Sequence, residues 1–300
     1  MVAQRNSMSL AVLIPAYNAA ATLSDVLGRI RGLGDDDVIL IVDDGSSDAT
    51  ATVAAEDPRV QVVRHARNVG YGQASMTLYD EALRRGASVM VNLHADLAHF
   101  PEDLWDIVEP VSRGEADMVV GSRTLGIAAR SPRLLGSTWL GACVSGVMPP
   151  SRLIPNLLLT AYQNACFGTS FHSFHDGFRA CARRVVERIP YRTFSGWYQF
   201  DTNFLLAAHA LGFRIREVGV STQYLKRPSS ATPRIEYGLR VLAHATRFGC
   251  RRLWNGLRHP HPPAQRAGPN APSLPPWPER TGTRVPVDRG LKATTENVEV

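Results

Sequence analysis

The chain has 300 residues, 44% of them hydrophobic, enough for a sizeable core in one large domain or two small ones. A net charge of +6 favours anionic partners such as phosphates or an acidic membrane surface, while no recognition motif supports nucleic acid. Cys143, Cys166, Cys181 and Cys250 show no C-x-x-C spacing and read as reduced thiols of a cytosolic protein. Met1 to Met8 has no apolar stretch, so no signal peptide is expected, and no long apolar run predicts a membrane-spanning helix.

In chain order, Leu10 to Ile14, closed by Pro15, reads as a buried strand. Leu23, Val26, Leu27 and Ile30 recur with helical spacing. Val38 to Val42 is a second buried strand, stopped by the polar turn Asp43 to Asp48, which could also cap the Ala-rich helix that follows. Val60 to Val63 is a shorter strand. Asn68 to Gly72 is a glycine loop, and a helix through Leu78, Tyr79 and Ala82 comes next. Val89 to Leu93 has strand character. Pro101 and Glu102 open a helix with Leu104, Ile107, Val108 and Val111 on its inner face, and Met118 to Gly121 is another strand. This alternation predicts an α/β fold, a mostly parallel sheet with helices on both faces.

From Pro132 to about Gly168 the pattern changes to interrupted amphipathic helices, including Trp139 and Leu140, readable as core or as a segment lying on a membrane. A helix is expected around Phe204 to Leu211, a strand at Phe213 to Val220, and a basic helical segment from Arg234 to about Arg258. The proline-rich stretch from residue 259 to residue 300 is expected to be a disordered tail.

Three polar segments fall at strand ends: Pro15 to Asn18, Asp43 to Ser46, and His94 to Asp96. In a doubly wound sheet such ends converge on one crevice. It would hold the aromatic face of Tyr17, the carboxylates of Asp43 and Asp44, and His94 with Asp96. In an extended chain the last two would aim together at one ion. That set suits a nucleotide diphosphate with its metal. Gly70 and Gly72 would let the backbone approach a nucleotide or simply make a turn, and Arg123 is placed to reach a phosphate.

Pro15-Ala-Tyr-Asn18, Val42-Asp-Asp-Gly-Ser-Ser-Asp48, Arg67-Asn-Val-Gly-Tyr-Gly72, His94-Ala-Asp96 and Gly121-Ser-Arg123 follow one another as in family-2 glycosyltransferases of the GT-A fold. Over residues 8–230 the chain resembles most the dolichyl- or polyprenyl-phosphate sugar synthases. The resemblance implies a glycosyltransferase domain over 8–258, with a donor half at about 8–125 and an acceptor half at about 126–235. It implies that Pro15, Tyr17, Asn18, Val42, Asp43, Asp44, Asn68, Gly70, Gly72 and Ala95 surround the nucleotide. Asp96, with His94, would hold Mg²⁺ or Mn²⁺ against the diphosphate. Arg123, Arg179, Lys226 and Arg227 would face donor or acceptor phosphates. Two departures stand out: His94 replaces the first carboxylate of the usual Asp-x-Asp, and Ala98 replaces a glutamine.

The implied reaction is inverting transfer of a hexose from a UDP- or GDP-sugar to a lipid phosphate, by a cytoplasmic protein associated with the cytoplasmic face of the membrane. A phosphate acceptor is already anionic and needs no base. A hydroxyl acceptor would need one, with Asp176 the first candidate and Asp201 the second. The alternatives are transfer to a saccharide or natural-product hydroxyl, and a non-catalytic nucleotide-sugar-binding homologue.

Overall fold

The computed structural model describes residues 9–130, 150–197, 199–222, 234–258 and 287–288. Its centre is β1 (Leu10–Ala16), flanked on both sides by parallel strands, β2 (Val38–Asp43) and β4 (Val89–Asn92). Every residue of β4, and all of β1 except half-buried Pro15, is buried, which is why these runs lack polar alternation. β3 (Val60–His65) pairs parallel to β2.

Beyond β4 the sheet becomes mixed. β6 (Arg179–Ala182) is inserted antiparallel between β4 and β5 (Met118–Ser122), and β7 (Ile215–Gly219) closes that edge parallel to β5. Because β6 runs the other way, its start lies beside the ends of β4 and β5: Asn92 pairs with Arg179, and so does Val120. β6 was not among the expected strands. Its four residues, Arg-Ala-Cys-Ala, carry no apolar run to announce them.

The expected helical faces are buried as predicted. Leu23, Val26 and Leu27 of α1 (Ala20–Arg29) face the core, as do Leu78, Tyr79 and Ala82 of α3 (Tyr71–Arg84). So do Leu104, Ile107, Val108 and Val111 of α4 (Leu104–Ser112). The short α2 (Thr50–Ala55) follows β2, and α5 (Arg123–Arg130) follows β5. α6 (Pro150–Phe167) falls within the predicted amphipathic region, and α7 (Arg183–Arg188) follows β6. α8 (Gln199–Ala210) starts five residues before its predicted start, and α9 (Arg234–Arg258) matches the predicted basic helix.

α6 and α9 pack against one another: Tyr162 Oη lies 2.8 Å from Thr246 Oγ1, and the rings of Phe167 and Phe248 meet edge to face at 5.1 Å. No described helix is long and apolar enough to cross a membrane. Trp139 and Leu140 lie outside the described residues, as does the proline-rich tail except β8 (Val287–Asp288), which pairs antiparallel with Arg64 and His65.

Candidate active site

The ends of β1, β2 and β4 are stitched together by short side chains and exposed backbone groups. Asp44 N donates to Ala16 O at 2.8 Å, and Asn18 N donates to Ser46 Oγ at 2.9 Å. Asn18 Oδ1 accepts from Ser47 N at 2.9 Å, with Asn18 in the left-handed region that asparagine tolerates. Asp48 accepts from Ala20 N and Thr50 N, which ties the first turns of α1 and α2 to one carboxylate. Thr22 Oγ1 donates to Ala95 O at 2.6 Å and brings the loop after β4 to the same place. The predicted convergence of three separate loops is therefore met. On this rim Tyr17 is 46% exposed, Asn68 is exposed and Pro15 half-buried, while Val42, the register partner of Pro15, is buried.

Within this frame Asp43 and Asp44 are structural in this conformation. Asp43 is fully buried; its Oδ1 accepts from Ser46 N at 2.9 Å and its Oδ2 lies 3.2 Å from Arg64 Nε. Asp44 is 3% exposed, and its two oxygens lie 2.7 Å from His65 Nδ1, 3.1 Å from Val69 N and 2.8 Å from Gly70 N. It clamps the Asn68–Gly70 turn onto β2. The close approach at Gly70 and Gly72 is made by the chain itself. A Cβ on Gly70 would fall 2.6 Å from Gly196 O, and one on Gly72 would fall 2.6 Å from Ser195 O.

The expected pairing of His94 with Asp96 rested on an extended chain, but β4 ends at Asn92 and Ala95–Asp96 is a turn. Asp96 Oδ1 accepts from Ala98 N at 3.0 Å, and Leu97 takes φ +56°, a conformation leucine rarely adopts. His94 turns Nε2 inward without a hydrogen-bond partner, and a Cβ on Gly177 would fall 2.2 Å from that atom. The imidazole meets the rings of Tyr71 and His99 edge to face, at 5.8 and 5.5 Å. Among the described residues no three His, Cys, Asp or Glu side chains could share an ion. The donor set is thus no protein cage. One half-buried carboxylate, Asp96, does fit Mg²⁺ or Mn²⁺, because such ions are commonly held by one or two carboxylates together with substrate phosphates. His94, with Nε2 turned toward Gly177, stands as a wall of the site.

At the junction of β5 and β6, Arg123 and Asp176 close on each other. Arg123 Nε is ion-paired with Asp176 Oδ1, and Arg123 N donates to Asp176 Oδ2 at 3.2 Å. Burial raises the Asp176 carboxyl, but the Arg123 guanidinium, with His99 nearby, outweighs it and holds the carboxyl below its ordinary range. His99 is 1% exposed, and burial pushes it down to about 3; burial likewise lowers His175 to about 4. Both are neutral imidazoles at physiological pH.

Arg179 is also buried, at 1% exposure. It pairs with Asp201 at 2.9 Å and donates to Asp201 O and Asp176 O, while Tyr71 Oη donates to Asp201 Oδ1 at 3.2 Å. It braces the site from inside, whereas the sequence expectation had it facing a phosphate. Lys226 and Arg227 lie outside the described residues. His99, His175 and the Tyr71–Asp201–Arg179 bridge had no sequence signal, since nothing in the local pattern brings residues 71, 179 and 201 together.

Parallel strands whose ends converge, an acidic turn after β4 and an arginine after β5 mark a glycosyltransferase of the GT-A fold. Residues 11–189 match the model of the family described as "Glycosyl transferase family 2", and the chain belongs to that family. Polyprenol monophosphomannose synthase of Mycolicibacterium smegmatis is 32% identical over 225 residues, 70% of this chain and 79% of the relative. Undecaprenyl-phosphate mannosyltransferase of Micrococcus luteus is 30% identical, over 84% of this chain and 98% of the relative. Among solved structures, glucosyl-3-phosphoglycerate synthase of Mycobacterium tuberculosis in complex with Mg²⁺ and uridine diphosphate superposes with a TM-score of 0.56, at 20% identity, covering 82% of this chain and 80% of that one. The fold is shared at that identity.

Proposed function

We propose that the protein transfers a hexose, with inversion, from a UDP- or GDP-sugar to the phosphate oxygen of a polyprenyl-phosphate lipid at the membrane surface. The observation that carries the choice of acceptor is the state of Asp176. A hydroxyl acceptor needs a carboxylate with appetite for a proton. Asp176 is instead buried, ion-paired with Arg123 and held ionised below the usual range. A phosphate monoester needs no such base. Its oxygen attacks the anomeric carbon as the bond from that carbon to the nucleoside diphosphate breaks, and the pair of electrons leaves with the diphosphate. The names of the two mannosyl-transferring relatives support the same acceptor and make mannose the first sugar to test.

Tyr17, Pro15 and the stitched turns around Asn18 and Ser46 form the wall for the base and ribose. Asp96 would hold Mg²⁺ or Mn²⁺, whose charge would offset that of the leaving diphosphate. Arg123 orients a phosphate, with Asp176 fixing the guanidinium. Arg179, Asp201 and Tyr71 hold the floor beneath them.

The test is transfer of labelled sugar from GDP-mannose and from UDP-hexoses to polyprenyl phosphate, with and without Mn²⁺ or Mg²⁺. Label should enter the lipid, chelation should stop it, and Asp96→Ala should abolish it with an unchanged melting temperature. Label entering only saccharide hydroxyls would refute the acceptor. Metal-independent nucleotide binding with no turnover would refute the activity.

A further inference from the structure

We infer that α6 and α9 together form a face that docks on an anionic lipid surface. The purpose of such a face rests on the lipid-phosphate reading above. The evidence for it is separate.

Seven large hydrophobic side chains are exposed among the described residues, and five of them lie on these two helices: Ile154, Leu158, Tyr162, Leu239 and Leu242. Leu158 is 67% exposed and Leu239 62%. On α6 the exposed residues recur at i, i+4 and i+8, a line along one side of the helix. The other exposed positions from Ile154 to Ala165 are Pro155, Ala161 and Ala165, so that side carries no charge at all. The Tyr162–Thr246 hydrogen bond joins this line to α9, and Thr246 Oγ1 in turn contacts Leu242 O at 2.7 Å. The two apolar rows therefore form one patch.

Charge identifies the occupant. The segments of α6 and α9 contain seven arginines and one acidic residue, Glu236, a balance of +6, which equals the net charge of the whole chain. The remaining residues sum to zero. Arg240 and Arg247, exposed on α9, stand one heptad apart on the same helix as Leu239 and Leu242. An apolar stripe rimmed by arginine is the pattern of a helix lying in a membrane interface. A second copy of this chain would bring like charges together, which disfavours a symmetric dimer through this face.

The experiment sediments the full chain with phosphatidylcholine vesicles and with vesicles that also contain phosphatidylglycerol. Wild type should bind the anionic vesicles and release them as salt rises. I154S/L158S should lower the partition coefficient by about tenfold or more. R240Q/R247Q should lower it by a similar factor, on anionic vesicles alone. Melting temperatures should not change.

Sugar transfer to a short, water-soluble prenyl phosphate separates docking from chemistry, and both double variants should retain it. Failure of wild type to bind the anionic vesicles would overturn the inference, as would unchanged binding by I154S/L158S. So would a dimer in sizing experiments that the same variant dissociates. Vesicle binding without transfer to any prenyl phosphate would uphold the docking face and overturn only the acceptor assignment.

Discussion

Asp44→Asn separates two roles that the sequence could not tell apart: lining the nucleotide and holding the loop beside it. The wild-type carboxylate faces three donors, His65 Nδ1, Val69 N and Gly70 N, at 2.7 to 3.1 Å in a buried setting. Asparagine keeps one acceptor oxygen and turns an amide N–H₂ toward at least one buried donor. An orphaned buried donor costs about 1–3 kcal/mol, and the bonds that remain lose their charge assistance. A total of about 3 kcal/mol is expected, a large share of the stability of an ordinary domain. For a domain of this size that corresponds to a fall of roughly 6–12 °C in melting temperature. The assay is a thermal melt by circular dichroism, run with and without UDP or GDP. The variant should melt early in both conditions, and its loss of nucleotide affinity should follow from the loosened Asn68–Gly70 turn. A variant that melts with wild type yet no longer binds nucleotide would refute the clamp and make Asp44 a direct ligand contact.

Gly177→Ala should destabilise the protein by about 1–3 kcal/mol, because the new methyl collides with His94 Nε2 and with Tyr71 Oη, 2.9 Å away. Adding His94→Ala should restore much of that loss; equal losses in the two backgrounds would contradict the packing described. Asp117 sets an acid limit. Burial raises its carboxyl, but bonds from the side chain and backbone of Arg214 and from Arg184 outweigh this and lower it to about 2. A lowered folded-state pKa stabilises above the unfolded value of 3.8 and is lost as pH falls toward 2. The contribution is at most about 2 kcal/mol, and less in salt, because both arginines are exposed. Asp117→Asn should flatten stability between pH 4 and 2; an unchanged pH curve would contradict the assignment.

The parallel half of the sheet was legible because full burial writes itself as unbroken apolar runs, as in Leu10–Ile14 and Val38–Val42. The antiparallel insertion was not, since β6 opens with an arginine whose burial depends on Asp201, 22 residues further on. The early start of α8 was hidden for the opposite reason. Phe200 to Ala208 are all buried, so no polar face marks the helix period. At the site, the identity and order of the loops were readable, but their internal geometry was not. The i, i+2 rule for His94 and Asp96 failed because the strand stops two residues early. For the glycines at 70 and 72, readable as a ligand approach or as a plain turn, the sequence could not show that residues 195–197 lie against them.

The Arg123–Asp176 pair has a further consequence. The chain leaves the sheet at the end of β5, makes an excursion of some fifty residues, and returns at the start of β6, where these two side chains fasten the way out to the way in. The root of that excursion is fixed whatever its length. Doubling a flexible loop adds only about 0.6 kcal/mol of closure entropy. Evolution, or an engineer, can therefore lengthen, shorten or exchange the segment between β5 and β6 without moving the strand ends that it joins.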